Sequence, residues 1–193
     1  MPIYNGIEFI DESISTILYQ NYPHWELIIG VNGHPPNSET YKKAKEYETK
    51  GEMENGNYKE TQIITVLDMH EIKGKSNALN KMMELVKNDW VALLDVDDVW
   101  LPKKLESQIP YTKEYDVIGT MCKYFGDMNI VPNIPVGDIS HFNFFRVNPI
   151  INSSCLVRRE LCYWDSNWDG VEDYDMWLRL RKDNRKLFNV GYI

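Results

Sequence analysis

The sequence predicts an α/β fold with a mostly parallel central sheet and helices on both faces. Short apolar segments that end at Asp, Asn or Gly alternate with segments whose apolar residues recur at helical spacing. Such alternation favours parallel strands, because each helix returns the chain to the same edge of the sheet. The chain has 193 residues, 43% of them hydrophobic and 26% charged, which suits a single globular domain.

The first half of the chain contains three predicted strands separated by helices. The first and third helices place their apolar residues on one face, whereas the second is charged and is predicted to be solvated. A surface loop is predicted at Gly51–Asn57. The predicted helices are Glu8–Gln20, Ser38–Lys50 and Ser76–Lys87, and the predicted strands are Trp25–Val31, Gln62–Leu67 and Trp90–Leu94.

The second half is less regular. Tyr124–Phe145 is rich in Gly, Pro and Asn and is predicted to be an irregular excursion. One helix is predicted at Glu172–Lys182, where apolar and charged residues alternate at helical spacing. Further strands are predicted at Asp116–Thr120, Ile150–Val157 and Leu187–Val190.

Composition excludes several function classes. The chain carries 29 acidic and 21 basic residues, and this net charge of -8 disfavours a nucleic-acid partner. The longest apolar runs are far shorter than the roughly 20 residues of a transmembrane helix, and the N-terminus lacks the pattern of a secretory signal. The three cysteines form no Cys-x-x-Cys pair. A cytoplasmic protein without a transmembrane segment is therefore predicted, with peripheral membrane association through segments outside this chain left open.

Three carboxylates follow the predicted strand at Trp90–Leu94, namely Asp95, Asp97 and Asp98. Ligands of a doubly wound sheet gather at the carboxyl ends of its strands, and carboxylate oxygens suit Mg²⁺ or Mn²⁺. Such an ion would bridge the cluster to a diphosphate. An EF-hand is excluded, because hydrophobic residues occupy its fifth-ligand and obligatory glycine positions. The alternative is that the aspartates only cap the following helix.

Five segments, in this order, resemble the GT-A glycosyltransferases, specifically the family 2 nucleotide-sugar transferases. The resemblance covers nearly the whole chain, and the order and spacing of the segments are more specific than any one of them. The segments are Pro2-Ile-Tyr-Asn5, Ser13–Gln20 with Tyr22 and Glu26-Leu-Ile-Ile29, Gly74-Lys-Ser-Asn-Ala-Leu-Asn80, Asp95-Val-Asp-Asp98 with Trp100, Pro102 and Leu105, and Glu172-Asp-Tyr-Asp-Met-Trp-Leu-Arg-Leu180.

The resemblance implies a pocket for the nucleotide base near the N-terminus. Tyr4 would stack on uracil, and Pro2 belongs to the same motif. Asn32 occupies the position of a family aspartate that accepts a hydrogen bond from the base imide. Asn also accepts, but this difference leaves strict uridine specificity open.

The resemblance also implies residues for the rest of the donor. Asp95 would bind ribose hydroxyls, and Asp97, with Asp95, would bind Mn²⁺ or Mg²⁺. Lys75 would reach the diphosphate, with a solvated surface lysine as the alternative. The role of Asp98 is left open.

Asp173 is implied as the general base that takes the proton from an acceptor hydroxyl. Its place in the first turn of a helix is expected to help keep it ionised. Asp169 and Glu172 have the spacing of a capping box, so capping is assigned to Glu172. Trp168 is a candidate platform for an acceptor sugar, with a plain hydrophobic anchor as the alternative.

The expected function is metal-dependent transfer of a hexose from a nucleotide diphosphate sugar, a UDP-sugar by preference, to a hydroxyl of a glycan, lipid or protein. Inversion at the anomeric carbon is implied by the resemblance. The alternatives are a sugar nucleotidyltransferase, which usually has a glycine-rich phosphate loop that is not seen here, and a non-catalytic nucleotide-sugar or glycan-binding module, which would not need a base.

Residues 1–193 are expected to form one GT-A catalytic domain. The nucleotide-binding part would cover about 1–100 and the acceptor side about 101–193. The family's first strand normally precedes the Pro-x-Tyr-Asn motif, and longer relatives continue past the Glu-Asp helix. Either residues are missing before Met1 or the first strand is very short, and the alternative to a whole domain is that the chain is a fragment of a longer protein.

Overall fold

The computed structural model describes residues 1–49, 53–54, 57–58 and 62–192. Strands and helices alternate in the first half, as predicted. In chain order they are β1 (Pro2–Ile3), α1 (Ile10–Leu18), β2 (Glu26–Asn32), α2 (Glu39–Lys45), β3 (Met53–Glu54), β4 (Asn57–Tyr58), β5 (Ile63–Met69), α3 (Lys75–Met83), β6 (Trp90–Ala92), α4 (Lys104–Gln108), β7 (Val117–Thr120), β8 (Gly137–Asp138), β9 (Leu156–Arg158), α5 (Glu172–Lys182) and β10 (Leu187–Val190).

The first sheet is fully parallel and has the strand order β1-β2-β5. Strand β2 pairs with β5 over its whole length, and its last residue, Asn32, lies opposite Met69. Strand β1 pairs with the end of β2, with Ile3 opposite Val31. The carboxyl ends of the three strands therefore meet at one edge, where a parallel α/β sheet binds ligands.

The second sheet is mixed and has the order β6-β9-β7-β10-β8. Strands β7 and β10 are parallel, whereas β9 lies antiparallel between β6 and β7, and β8 is antiparallel to β10. The mostly parallel prediction therefore describes the first sheet better than the second. The irregular segment between β7 and β9 contains no crossover helix in its described residues, so it does not impose parallel pairing as α1 and α2 do between the strands of the first sheet.

Helices α1, α2 and α3 and strands β6 and β7 are shorter than predicted, β2 and β5 end one and two residues later than predicted, and α5 and β10 have the predicted bounds. The strand predicted at Ile150–Val157 is wrong in its first part, because Asn152–Ser154 forms a 3₁₀ turn before β9 begins. The predicted Gly51–Asn57 loop falls mainly on residues outside the described ranges, and within it β3 pairs antiparallel with β4.

Two large apolar clusters pack against the sheets. The first joins α1 to β1, β2 and β5, and the second surrounds α5 and includes the fully buried Trp164 and Trp177. Within the described ranges, no helix has the length and apolar character needed to span a bilayer.

Candidate active site

An exposed aromatic ring stands at the carboxyl edge of the first sheet. The Tyr4 side chain follows β1 and is 58% exposed. Its ring lies against the backbone of Gly33, where a Cβ atom would be 2.6 Å from the ring, and the φ of +74° at Gly33 also suits glycine. The rings of Tyr4 and His34 are 5.6 Å apart. The edge thus presents an aromatic face to solvent.

The other two residues predicted for the base pocket lie in β1 and β2. Asn32 is buried at the end of β2, and its amide nitrogen lies 3.4 Å from the carbonyl oxygen of Ile72. Pro2 is half-buried and pairs with Gly30 across the sheet. The structure therefore brings Pro2 and Asn32 to the edge that carries the Tyr4 ring.

Sequence reasoning missed a carboxylate at this edge. Asp68 lies in β5 opposite Val31, and it accepts a hydrogen bond of 3.0 Å from the backbone of Asn37. That bond, with His70 nearby, lowers the pKa of Asp68 below its usual value. The available signal was the position of Asp68 near the end of a β-branched strand.

Lys75 joins the two halves of the site. Its ammonium group lies 2.8 Å from Asp95 and 3.3 Å from Glu172, which is itself buried. Burial acts to lower the pKa of Lys75, but the two carboxylates outweigh it and raise the pKa above its ordinary value. Lys75 is therefore a charged group held between the loop after β6 and the start of α5.

The 3₁₀ turn at Asn152–Ser154 forms hydrogen bonds with the loop that carries Asp95, Asp97 and Asp98, here called the aspartate loop. The Asn152 amide donates to Asp95 at 3.0 Å, and the backbone N–H of Asp95 donates to the Ser153 hydroxyl at 3.0 Å. The indole of Trp100 donates to the Ser153 carbonyl at 2.6 Å. Sequence reasoning missed these contacts, and the only signal was a run of polar residues within an apolar segment.

Asp97 and Asp98 differ in their surroundings. Asp97 is exposed, and no described side chain pairs with its carboxylate. Asp98 is half-buried, and burial raises its pKa, with a further rise from Asp95 and Asp97 that the Ser153 hydroxyl partly opposes. Across the described residues, no three His, Cys, Asp or Glu side chains converge to form a metal site. A divalent ion held here would need further oxygen ligands from a diphosphate.

Asp173 lies beside the Lys75 network in the first turn of α5. It is half-buried, and the Asn148 amide lies 3.5 Å from its carboxylate. Burial raises the pKa of Asp173, although a backbone hydrogen bond from Tyr174 opposes the rise. Burial and the expected effect of the helix terminus therefore act on the pKa of Asp173 in opposite directions.

The predicted capping box of α5 is wrong. The residue before the helix is Val171, whose side chain has no acceptor. Asp169 instead accepts hydrogen bonds from the backbone N–H of Ser76, at 2.9 Å, and from the Ser76 hydroxyl, so it caps α3. Glu172 accepts from the backbone of Gly170 at 2.7 Å with the oxygen that does not face Lys75.

The candidate acceptor platform remains a surface residue. Trp168 is 51% exposed in a 3₁₀ turn before α5.

Of the other residues predicted for the site, Lys75, Asp95 and Asp173 lie together, while Tyr4 and Asn32 lie along the neighbouring strand edge.

Residues 1–159 match the model of glycosyl transferase family 2. This match covers well over half of the chain and includes the aspartate loop and the strand edge described above. The chain belongs to glycosyl transferase family 2. The family predicted from the sequence, and with it the glycosyltransferase class, is confirmed.

Relatives with this family's activity in their names match most of the chain. The UDP-Glc:alpha-D-GlcNAc-diphosphoundecaprenol beta-1,3-glucosyltransferase WfgD of Escherichia coli is 28% identical over 202 residues, which cover 100% of this chain and 73% of WfgD. The O-antigen biosynthesis glycosyltransferase WbnJ of Escherichia coli is 27% identical, over 93% of this chain and 69% of WbnJ.

Solved structures share the fold. S. aureus TarS 1–349 in complex with UDP-GlcNAc has a TM-score of 0.71 at 16% identity, over 98% of this chain and 54% of that TarS chain. The mannosyltransferase PcManGT from Pyrobaculum calidifontis, in complex with GDP-Man and Mn²⁺, has a TM-score of 0.69 at 15% identity, over 98% of this chain and 53% of PcManGT. The chain thus spans about half the length of these structures, and the GT-A fold is confirmed.

Proposed function

We propose that the protein transfers a hexose from a UDP-sugar to a hydroxyl of a glycan, lipid or protein acceptor, with inversion at the anomeric carbon. The main support is the grouping of Lys75, Asp95 and Asp173 beside the strand edge that carries Tyr4. WfgD is named for a UDP-Glc donor and TarS is described with UDP-GlcNAc, and both names favour a UDP-sugar.

The donor would lie along the carboxyl edge of the first sheet. The exposed Tyr4 ring offers a stacking face for uracil, and the Asn32 amide oxygen is a hydrogen-bond acceptor for the base imide. Asp95 would accept from ribose hydroxyls. The Lys75 ammonium, which now pairs with Asp95, is close enough to turn toward a diphosphate bound at the same loop.

The residues at the aspartate loop fit a divalent ion only together with a diphosphate. Asp97 is the carboxylate with free oxygens, whereas Asp95 is already bound by Lys75 and Asn152 and would become a second ligand if Lys75 moved to the diphosphate. Asp97 would therefore hold Mn²⁺ or Mg²⁺. When bound, the ion would neutralise negative charge on the departing diphosphate.

Asp173 would take the proton from the acceptor hydroxyl as its oxygen attacks the anomeric carbon. A carboxylate with a raised pKa is a stronger base than an ordinary aspartate, which suits it to take a proton from a hydroxyl. The Asn148 amide would orient the carboxylate. Glu172 would keep Lys75 near the same site without being the base.

The direct test is release of the nucleoside diphosphate from UDP-glucose, UDP-GlcNAc and GDP-mannose, with and without Mn²⁺. We expect metal-dependent release from a UDP-sugar. Asp97→Asn keeps the shape and removes the charge, so it is expected to lose most of this activity. Asp89→Asn, at an exposed position just before β6 and so at the other end of that strand from Asp97, is the matched control. Undiminished release by folded Asp97→Asn at low Mn²⁺ would refute the assignment of Asp97.

A further inference from the structure

A groove of about 560 Å³ runs along α5, away from the grouping of Lys75, Asp95 and Asp173. Its apolar wall includes Phe142, Phe145 and Leu178, and its basic residues include Arg181 and Lys182. Among the described residues that line the groove, none is acidic, although the whole chain has a net charge of -8. The groove is thus a basic and apolar surface on an acidic protein.

Two basic side chains of the groove, Arg181 and Lys182, form no ion pair with the described residues. Arg179 pairs with Asp175 at 2.8 Å and also donates to the Tyr163 carbonyl. By contrast, the described residues provide no acidic partner for Arg181 or Lys182, and the buried Nε of Arg181 has no hydrogen-bond acceptor there. Cations near a helix C-terminus are favoured by its dipole, but that effect does not require an unsatisfied guanidinium nitrogen.

The apolar side of the groove is exposed. The Phe145 side chain is 88% exposed, which is unusual for a phenylalanine of a folded domain. An apolar ring beside an unpaired guanidinium suits a ligand that carries both a phosphate and a hydrocarbon chain. Arg is the side chain that binds phosphate most readily through paired N–H groups.

One chain segment borders both the groove and the candidate base. The Tyr174 hydroxyl donates to the Phe144 carbonyl, and Asn148 contacts Asp173, so the segment 141–148 borders both. Asp173 and Arg181 are eight residues apart on α5, which corresponds to about 12 Å along the helix axis. This separation is comparable to one hexose ring with its attached diphosphate.

We propose that the groove binds the phosphate group and the adjoining hydrocarbon chain of a lipid-linked sugar acceptor. Arg181 and Lys182 bind the phosphate oxygens, and Phe145 and Phe142 contact the first part of the lipid chain. The sugar then extends toward Asp173. Only this last step rests on the proposed transferase function, because binding of a lipid phosphate in the groove needs no donor.

The binding test uses farnesyl diphosphate as the probe, measured by calorimetry with the full chain in the presence of saturating UDP and Mn²⁺. The groove variant is Arg181→Gln with Lys182→Gln. The control is Lys87→Gln with Lys113→Gln, two exposed lysines before β6 and β7. We expect the groove variant to weaken binding by about tenfold or more, because charge-assisted hydrogen bonds are lost, and the control to leave binding unchanged.

A second variant separates the phosphate from the lipid. Phe145→Ser changes a ring that is 88% exposed, so folding is not expected to suffer. This substitution should weaken the binding of farnesyl diphosphate and leave the binding of inorganic diphosphate unchanged. Equal loss in the groove and control variants, binding of farnesyl diphosphate only when UDP is left out, or equal affinity for farnesyl and inorganic diphosphate would each overturn the proposal.

Vesicles distinguish a lipid-linked acceptor from a membrane surface. If phosphatidylglycerol vesicles bind through Arg181 and Lys182 while farnesyl diphosphate does not bind, the groove contacts anionic bilayers and the proposal is wrong. Failure of the proposed transferase function would appear separately, as absence of nucleoside diphosphate release while farnesyl diphosphate still binds.

Discussion

The carboxyl edge of the first sheet and the region around α5 supply their site residues in different ways. At the sheet edge, Tyr4 follows β1, and Asn32 and Asp68 lie at or near the ends of β2 and β5, so strand pairing alone places them together. Around α5, Asp173 contacts Asn148 of the irregular segment, and Asp95 is joined by side-chain contacts to Asn152 and, through Lys75, to Glu172. The first arrangement depends on backbone register and the second on pairs of side chains.

This difference predicts how each region responds to substitution. A change at the sheet edge removes one ligand contact and leaves the edge intact. A change around α5 removes a charge from a shared network and is expected to affect either the reaction or the packing of the two halves. Three substitutions test this contrast, in order of decreasing expected effect.

The largest effect is expected for Asp173→Asn. If Asp173 is the base, transfer should fall by roughly 10² to 10⁴, the range for loss of a general base, while binding of UDP with Mn²⁺ remains nearly unchanged. The measurement is transfer to an acceptor, paired with calorimetry of UDP. Loss of binding together with rate would instead make Asp173 part of the donor site or of the framework.

The raised pKa of Asp173 adds a pH signature to the same variant. The unprotonated form is the base, so wild-type transfer should fall as the pH drops through a pKa above the usual aspartate value of about 3.9. Because folding favours the protonated form, this group's contribution to stability declines as the pH rises through the raised pKa. Asp173→Asn should therefore melt higher than the wild type at neutral pH, and the difference should vanish in acid.

The contrast between the regions also explains what the sequence could predict. The bounds of α5 were predictable, because acidic residues begin it, basic residues end it and apolar residues line one face. The loop after β6 was predictable from a buried strand that stops at aspartates. The hydrogen bond from Ser76 to Asp169 was not, because the two residues are 93 positions apart and neither has a local pattern that names its partner.

The same reason accounts for the misassigned cap. Asp169 and Glu172 have the local spacing of a capping box, but α3 offered Asp169 an unsatisfied N–H from another part of the chain. A tertiary contact thus replaced the local one. Glu172 instead pairs with Lys75. The sequence indicated the charge of Lys75, but it did not indicate that Glu172 would be its second partner.

An intermediate effect is expected for Tyr4→Ala at the sheet edge. Loss of the stacking ring should weaken UDP binding by about 1 to 3 kcal/mol. Because Tyr4 is mostly exposed, the melting temperature should stay close to that of the wild type. Tyr19→Ala, at another exposed tyrosine, is the matched control. Unchanged UDP affinity in Tyr4→Ala would place the base elsewhere.

The smallest effect is expected for Asp169→Ala, which removes the cap of α3 without removing a proposed ligand. The backbone N–H of Ser76, whose own side chain is fully buried, loses its acceptor. The free energy of unfolding should therefore fall by about 1 kcal/mol, and by no more than about 2 kcal/mol. Chemical denaturation measures this change, with exposed Asp127→Ala as the control.

The same substitution tests whether the cap helps to position Lys75. Lys75 is the first residue of α3 and lies next to Ser76, so a frayed helix start would loosen the contacts of Lys75 with Asp95 and Glu172. We therefore expect weaker binding of UDP with Mn²⁺ in Asp169→Ala, by a few-fold, since the lysine charge remains but its position is less fixed. Asp169→Asn keeps an acceptor oxygen and should restore most of both losses. A stability loss with unchanged UDP affinity would mean that the hydrogen bond joins the two halves of the fold but does not position the lysine.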